Sequence, residues 1–335
     1  MAHHVVFISP LLDKPGKFHD LALRYMKIAA TSLGVEVNGL NATEDVAHLL
    51  RELLDGPERP DGAVVVNARN LATPLLDILN RAEVPTVMAF ESFYETDRNI
   101  VGEPGLPYEH WRCEIMPDDR GVGRMLARTL LDRAIVENRR EADGKIRVLT
   151  LSGPFTQAAT NRLTGFRETV REYGDQVTYD LRMAGWSRGK GHRITAEYLQ
   201  TNRPQVIWAA NDSIAQGAAQ ALEDVGLNPG EDVLLGGIDW LGDSLEQVAD
   251  GRITTSVGGH ILDGIWALVM VCDALAGHPP PADVFMKSSM VAATADDAST
   301  YSRVVDEDCL RRIDFAERFS STDGQYDFSL NRLLD

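Results

Sequence analysis

The residues with most to say about chemistry lie between Gln205 and Trp240, QVIWAANDSIAQGAAQALEDVGLNPGEDVLLGGIDW: an apolar run ending in Asn-Asp, an Ala-rich stretch, then a second apolar run ending in Asp. Both polar ends fall at the carboxyl edges of expected strands, where an open parallel sheet binds its ligands because strand ends and helix starts leave polar groups free. Asn211 offers a donor and an acceptor and Asp239 offers acceptors, which suits a neutral, hydroxyl-rich molecule such as a sugar or polyol. Asn211 also fits as a plain helix N-cap before Ser213-Ile214-Ala215, so capping and ligand contact both stand at this point. Two successive β-α units that bring polar side chains to one sheet edge favour a site.

Catalytic motifs fail in turn. Gly185-Trp186-Ser187-Arg188-Gly189-Lys190 has three residues rather than four between its glycines, and Gly191 where a phosphate loop needs Ser or Thr. Ser187 and Lys190 form a Ser-x-x-Lys without the companion motifs of a penicillin-recognising enzyme. No Gly-x-Ser-x-Gly elbow, His-Glu-x-x-His or Gly-x-Gly-x-x-Gly after the first strand occurs, and the eight histidines lack metal-ligand spacing. Neither catalysis nor a metal nor a cofactor is therefore expected. Among the tryptophans, Trp208 inside a strand and Trp266 on a helical apolar stripe read as core. Trp186 and Trp240 fall on loops at the binding edge, where an indole can stack on a sugar ring.

Composition narrows the class. With 335 residues, 44% hydrophobic and 25% charged, the chain has room for two ordinary domains. A net charge of -17 argues against nucleic-acid partners and against an anionic membrane surface. The longest apolar stretch, Ile265 to Leu275, is too short to span a bilayer. The opening MAHHVVFISP lacks the pattern of a secretory signal, so any leader is expected to have been removed already. Cys113, Cys272 and Cys309 are too few for a disulfide framework; Cys272 reads as core, and Cys113 with Cys309 either pair or stay apart.

Apolar runs alternate with amphipathic stretches, the signature of a doubly wound parallel sheet. Strands are expected at Val5–Ser9, Val35–Leu40, Gly62–Val66 and Pro85–Phe90, with helices at Lys17–Leu33, Asp45–Leu54 and Ala72–Ala82. Glu91 to Met116, rich in Gly and Pro, reads as an irregular connection. The alternation then restarts with a helix from Pro117-Asp118-Asp119 and runs through strands Ile146–Leu151, Val177–Met183, Gln205–Ala210 and Val233–Ile238. A short strand at Ile253–Val257, a helix at Ile261–Ala276 and an extended segment at Asp283–Ala292 follow. The aromatic tail with Phe315, Phe319, Tyr326 and Phe328 reads as a clamp onto a domain.

The segment ANDSIAQGAAQALEDVG, followed by DVLLGGIDW and ADGRITTSV, resembles the type I periplasmic binding proteins, in particular the ribose- and galactose-binding group and its autoinducer-receptor relatives. The likeness runs from about residue 5 to 295 and is stronger in the second domain. Ser152-Gly153 to Phe166 resembles the family's strand-loop-helix with a ligand-binding arginine, placing Arg162 or Thr160 in that role. Ala184 to Gly191 resembles the loop with an aromatic platform, placing Trp186 there. The resemblance implies an α/β fold of two doubly wound parallel-sheet lobes joined by a three-strand hinge and closing on ligand. It puts 1–114 with 259–290 in one lobe and 115–258 with 291–335 in the other, with crossings near Cys113–Pro117, Val257–Gly259 and Met290–Ala293. In the first lobe Ser9, Asp13, Lys17 and Phe18 are available after strand one, Asn67 ends strand three and Glu91 ends strand four. Phe90-Glu91-Ser92 replaces the Asp-Arg of many sugar binders, and Gly258-Gly259-His260 replaces a glutamine near the second hinge. The ligand set so implied is Ser9, Asp13, Phe18, Asn67, Glu91, Thr160, Arg162, Trp186, Asn211, Asp239, Trp240 and His260. These departures make plain ribose a poor candidate, and a basic residue from Lys14 or Lys17 with the long loop from Glu91 to Trp111 leaves room for a larger or partly charged ligand.

The function implied is a monomeric periplasmic solute-binding protein that captures a sugar or sugar-like polyol in an inter-lobe cleft and delivers it to the membrane permease of an ABC importer, without catalysis. The alternative keeps the fold and makes the chain a sensory receptor for a membrane histidine kinase or diguanylate cyclase, a reading that the long segment after Ala295 fits. A repressor effector domain would need a helix-turn-helix ahead of the first strand, which begins at Val5. Fold alone does not exclude a hydrolase.

Overall fold

The computed structural model describes residues 2–10, 12, 17–67, 70–281 and 285–334. The chain divides into two compact units: Met1–Pro117, His260–Ser289 and Val304–Asp335 form unit 1, and Asp118–Gly259 with Met290–Arg303 form unit 2.

Unit 1 contains β1 (His3–Ser9), α1 (Phe18–Leu33), β2 (Val35–Asn41), α2 (Val46–Asp55), β3 (Gly62–Val65), α3 (Ala72–Arg81), β4 (Thr86–Ala89), α4 (Glu95–Val101) and β5 (Trp111–Met116). Unit 2 continues with α5 (Asp119–Val136), β6 (Ile146–Ser152), α6 (Gln157–Tyr173), β7 (Val177–Met183), α7 (Arg188–Leu199), β8 (Val206–Ala209), α8 (Asp212–Asp224), β9 (Leu234–Ile238), α9 (Ser244–Ala249) and β10 (Thr255–Gly258). The chain then gives α10 (Asp263–Leu275) and β11 (Phe285–Lys287) to unit 1 and β12 (Val291–Ala293) to unit 2, and ends with short helices α11 (Ala298–Val304), α12 (Glu307–Leu310), α13 (Phe315–Phe319) and α14 (Asn331–Leu334).

Each unit holds one sheet of six strands, ordered β11-β5-β4-β3-β1-β2 in unit 1 and β12-β10-β9-β8-β6-β7 in unit 2. All pairings are parallel apart from the antiparallel edge strand β12 on β10. Strands covered by helices on both faces read as near-continuous apolar runs, which is why GAVV of β3, VIWA of β8 and LLGGI of β9 are buried at every position. Trp208 and Trp266 are core, as expected.

Glu91 to Met116 is more regular than the turn residues suggest. Within it lie α4 and the sheet strand β5, whose sequence WRCEIM breaks the apolar pattern with Arg112 and Glu114. Glu114 is nonetheless fully buried, because Arg98 of α4 donates to it at 2.7 Å. Burial pushes the Glu114 carboxyl up from its usual range, opposed by the hydrogen bond and charge of Arg98.

The tail also differs from expectation: residues Val304–Asp335 pack with unit 1, not with the unit that holds 115–258, and this return makes a fourth crossing at Arg303/Val304. Phe328 stacks on Trp266 of α10 at 4.8 Å and Phe319 lies against the same ring at 4.9 Å. Asp273 of α10 fixes the tail further by accepting from the Ser321 amide (2.9 Å) and the Tyr326 hydroxyl (3.0 Å). Cys113 and Cys309 do not form a disulfide with each other. No helix among the described residues is long and apolar enough to cross a membrane.

Candidate ligand-binding site

In unit 2 the strand edge is organised by a buried arginine. Arg162, on the second turn of α6 and 5% exposed, donates Nε–H to Asp119 Oδ1 (2.7 Å) and Nη1–H to both Asp239 Oδ1 (2.9 Å) and the Ala210 carbonyl (2.8 Å). Its guanidinium therefore joins the start of α5, the end of β8 and the end of β9. Burial alone would push the guanidinium pKa down; Asp239 and then Asp119 outweigh it and hold it above its ordinary value. A buried arginine is tolerated only when paired in this way.

Trp186 stands beside this group. The Arg162 guanidinium carbon lies 5.6 Å from the indole centroid, and the six-membered ring covers Gly153, where a Cβ would stand 2.6 Å from it. The residue is half-buried with φ 58, so its backbone is held in the left-handed region that non-glycine residues avoid. Asn211 is the N-cap of α8, its Oδ1 accepting from Ile214 N–H at 3.0 Å. The capping reading is therefore present in the fold, and the side-chain NH2 is what Asn211 can offer a ligand. Arg162, Trp186, Asn211 and Asp239 are brought to one edge.

Two expected unit 2 positions stand apart from this group. Thr160 is exposed on α6 and takes no part in the Arg162 group. Trp240 is 1% exposed, its Nε1–H donates to the Ser256 carbonyl (3.0 Å), and its ring stacks on Tyr301 at 4.9 Å. With its N–H bonded and its face covered, Trp240 is packing rather than a sugar platform.

Two buried carboxylates missed from the sequence support this edge, Asp119 within the Arg162 group and Asp212 behind it. Asp119 was submerged in the Asp118-Asp119 helix start, where Asp118 is the cap and accepts from Gly121 N–H at 2.9 Å. Asp212, beside the cap Asn211, is fully buried, and burial followed by the Asp239 charge pushes its carboxyl up to about 8. The pattern is shared: of two adjacent acceptors at a helix start, the first caps and the second turns inward.

The unit 1 edge is aromatic. Phe18, at the start of α1, stacks on the ring of His260 (centroids 4.9 Å, planes 26° apart) and meets Phe90 edge-on at 5.3 Å. His260 is 2% exposed, and Phe90 carries φ 70 at the end of β4. Ser9 ends β1 fully buried, its hydroxyl without a partner among the described residues. Glu91 is half-buried, and its carbonyl accepts from Asn67 N–H at 3.2 Å. The Asn67 amide is also engaged within the fold: its Oδ1 accepts from Ala72 N–H (3.1 Å) and one Nδ2–H donates to the Ser92 carbonyl (2.9 Å), which ties β3 to α3 and to the loop after β4. Asp13 and Lys14 lie outside the described residues.

The arrangement supplies fixed donors and acceptors, with the one cation held between two carboxylates, next to an indole face, which suits a hydroxyl-rich molecule without negative charge. Among the described residues no group of three or more His, Cys, Asp or Glu could hold a metal ion.

Comparison with known proteins fits this geometry. A periplasmic sugar-binding protein from Pseudomonas fluorescens has the same fold with a TM-score of 0.84 at 26% identity, over 99% of both chains. The binding component of an arabinose ABC transporter from Shewanella sp. ANA-3, solved with L-arabinofuranose, superposes with a TM-score of 0.73 at 20% identity, over 92% of this chain and 98% of that one, and shares the fold. The galactofuranose-binding protein YtfQ of Escherichia coli (strain K12) is 24% identical over 190 residues, 55% of this chain and 54% of that protein. The chain thus spans about half the length of the curated relatives it matches, or less. The family model for a periplasmic binding protein domain matches residues 7–279, and the family is one of binding proteins rather than enzymes. With most of its length so matched, the chain belongs to the periplasmic binding protein family of type I fold.

Proposed function

We propose that this protein is a periplasmic, monomeric solute-binding protein that captures a neutral monosaccharide or sugar-like polyol and hands it to the permease of an ABC importer. The observation that carries the reading is the buried Asp119–Arg162–Asp239 row beside Trp186: hydroxyls can meet fixed donors and acceptors, while no uncompensated cation waits for an anionic ligand. Ser9, Phe18, Glu91 and His260 at the unit 1 edge are the further contacts in this reading. Closure of two lobes on the ligand, which the family resemblance implies, belongs to the same proposal, and small-angle scattering with and without a tight ligand tests it.

The ligand test is a thermal-shift screen of D-galactose, L-arabinose, D-fructose and myo-inositol, followed by calorimetry. Galactofuranose and fructose, for which the curated relatives are named, direct attention to sugars with accessible furanose forms. A ligand that binds only the folded state raises Tm with the logarithm of its concentration over Kd. Sugar acids and phosphates should give no shift. A response to those and none to any neutral sugar would overturn the reading.

A further inference from the structure

Asp212 opens α8 and is fully buried, yet the ligand-binding reading gives it no part. Its carboxyl is gripped from several segments. Oδ2 accepts from Leu241 N–H at 2.9 Å, the Ser256 hydroxyl of β10 donates to Oδ1 at 2.7 Å, and the Ser244 hydroxyl of α9 adds a further hydrogen bond. Gly237 of β9 makes the fit possible, since a Cβ there would stand 2.3 Å from Oδ1.

What Asp212 grips is the turn that ends in the site. Asp239 has φ 117 and Trp240 has φ 58, so two successive non-glycine residues occupy the left-handed side of backbone space. Such a conformation persists only where the surroundings impose it. Ser256 supplies a second hold: its carbonyl accepts from the Trp240 indole while its hydroxyl bonds Asp212. The Trp240 ring fills the space over Gly258, where a Cβ would lie 2.2 Å from the indole.

We propose that Asp212 is a positioning residue: from behind the site it locks the Asp239–Trp240–Leu241 turn in its left-handed form and so fixes where the Asp239 carboxylate stands. The consequence for affinity rests on the ligand-binding reading above; the hold on the turn does not.

The charged groups around Asp212 are Asp239 at the end of β9, with Arg162 of α6 and Asp119 of α5 behind it. A carboxyl whose pKa burial and Asp239 raise to about 8 is neutral at pH 7 and adds no second charge beside Asp239. Deprotonation would set two carboxylates against each other and pull on the turn.

The test uses the full 15N-labelled chain without ligand. The exchange rate of the Leu241 amide and the indole N–H signal of Trp240 report the turn directly. Asp212→Ala should speed Leu241 exchange by about tenfold or more and move the Trp240 signal, whereas Asp212→Asn, which keeps an acceptor and a donor, should stay within about threefold of the parent. In the parent both signals should titrate near pH 8, and in Asp212→Asn they should not. Should Asp212→Ala fail to fold, Ser256→Ala removes one hold and should loosen Leu241 while the protein stays folded. D-galactose and L-arabinose titrations then read the consequence: Asp212→Ala weakens whichever sugar the parent binds by about tenfold, and Asp212→Asn does not. Unchanged Leu241 exchange in Asp212→Ala and Ser256→Ala overturns the proposal. If the parent binds neither sugar, the choice of ligand fails while amide exchange still decides the turn.

Discussion

Gly123 of α5 approaches Arg162 of α6 so closely that a Cβ on it would stand 1.9 Å from the Arg162 carbonyl oxygen. The approach is reciprocal, since a Cβ on Gly165 would stand 1.9 Å from the Arg120 carbonyl oxygen. Helix backbones in contact place the Arg162 side chain within reach of Asp119 one turn earlier on α5. Gly123 has little freedom to retreat, because its own carbonyl accepts from the buried Trp208 indole at 3.3 Å.

Gly123→Ala should therefore act on the site without touching it. The clashing partner is backbone, which gives less readily than a side chain, and overpacking of this kind costs about 1–3 kcal/mol. Chemical denaturation should show that loss, together with weaker binding of whichever sugar the screen identifies, since Arg162 moves with α6. Parent-like stability and affinity in Gly123→Ala would mean that the helices separate freely and do not set the arginine.

Arg162→Met should be strongly destabilising even without ligand. It leaves Asp119 and Asp239 buried with their cation gone, a loss of about 3–5 kcal/mol for a broken buried pair. Adding Asp119→Asn should recover part of that loss, because one of the stranded charges is then removed, and the coupling should be about 0.5–3 kcal/mol. Arg162→Lys should rescue poorly, since an ammonium cannot span Asp119, Asp239 and the Ala210 carbonyl as the planar fork does. Simple additivity in urea unfolding would argue against the group acting as a unit.

The contrast between Asp239 and its neighbours shows how far sequence can be read. Apolar runs bounded by turn residues mark β1, β3, β6, β8 and β9 because parallel strands covered on both faces need apolar residues throughout. Asp239 is visible as the polar residue where such a run stops. β5 is hidden because Glu114 looks like a solvent residue, and only Arg98 from a separate segment makes its burial tolerable. Asp119 and Asp212 are hidden by neighbours that explain the local pattern by capping. Trp240 misleads in the opposite direction: its place after Asp239 suggests an exposed loop, and the groups that bury it, Gly258 and Tyr301, are remote in sequence. The tail joins unit 1 through contacts with α10 that no periodicity announces.

Stability should fall as pH rises across the interval set by Asp212. Its carboxyl has an ordinary value of 3.8 and sits at about 8 in the folded chain, so between these values the folded state holds a proton that the unfolded state has lost. Stability from this group is complete below about pH 4 and declines until about pH 8, because unfolding is then favoured by proton release. Asp212→Asn removes the slope. The gain in Tm of Asp212→Asn over the parent should widen from pH 5 to pH 8, and a constant difference would show that Asp212 titrates as it does in the unfolded chain.

Trp186 and Trp240 should separate on two single variants. Trp186 is half-buried beside Arg162, so Trp186→Ala should weaken sugar binding by about 1–3 kcal/mol, the scale of one buried aromatic contact, with a smaller effect on folding. Trp240 is enclosed, stacked on Tyr301 and hydrogen-bonded to Ser256, and Trp240→Ala should cost about 3–5 kcal/mol of stability. Trp240→Phe keeps most of the packing and loses the Ser256 bond, so its effect on stability should be smaller. Ligand should change the tryptophan emission of the parent and of Trp240→Phe, and leave that of Trp186→Ala nearly constant, because a sugar that excludes water from the Trp186 face cannot reach Trp240. An emission change that survives in Trp186→Ala but vanishes in Trp240→Phe would reverse the two assignments and put the ligand at the turn instead.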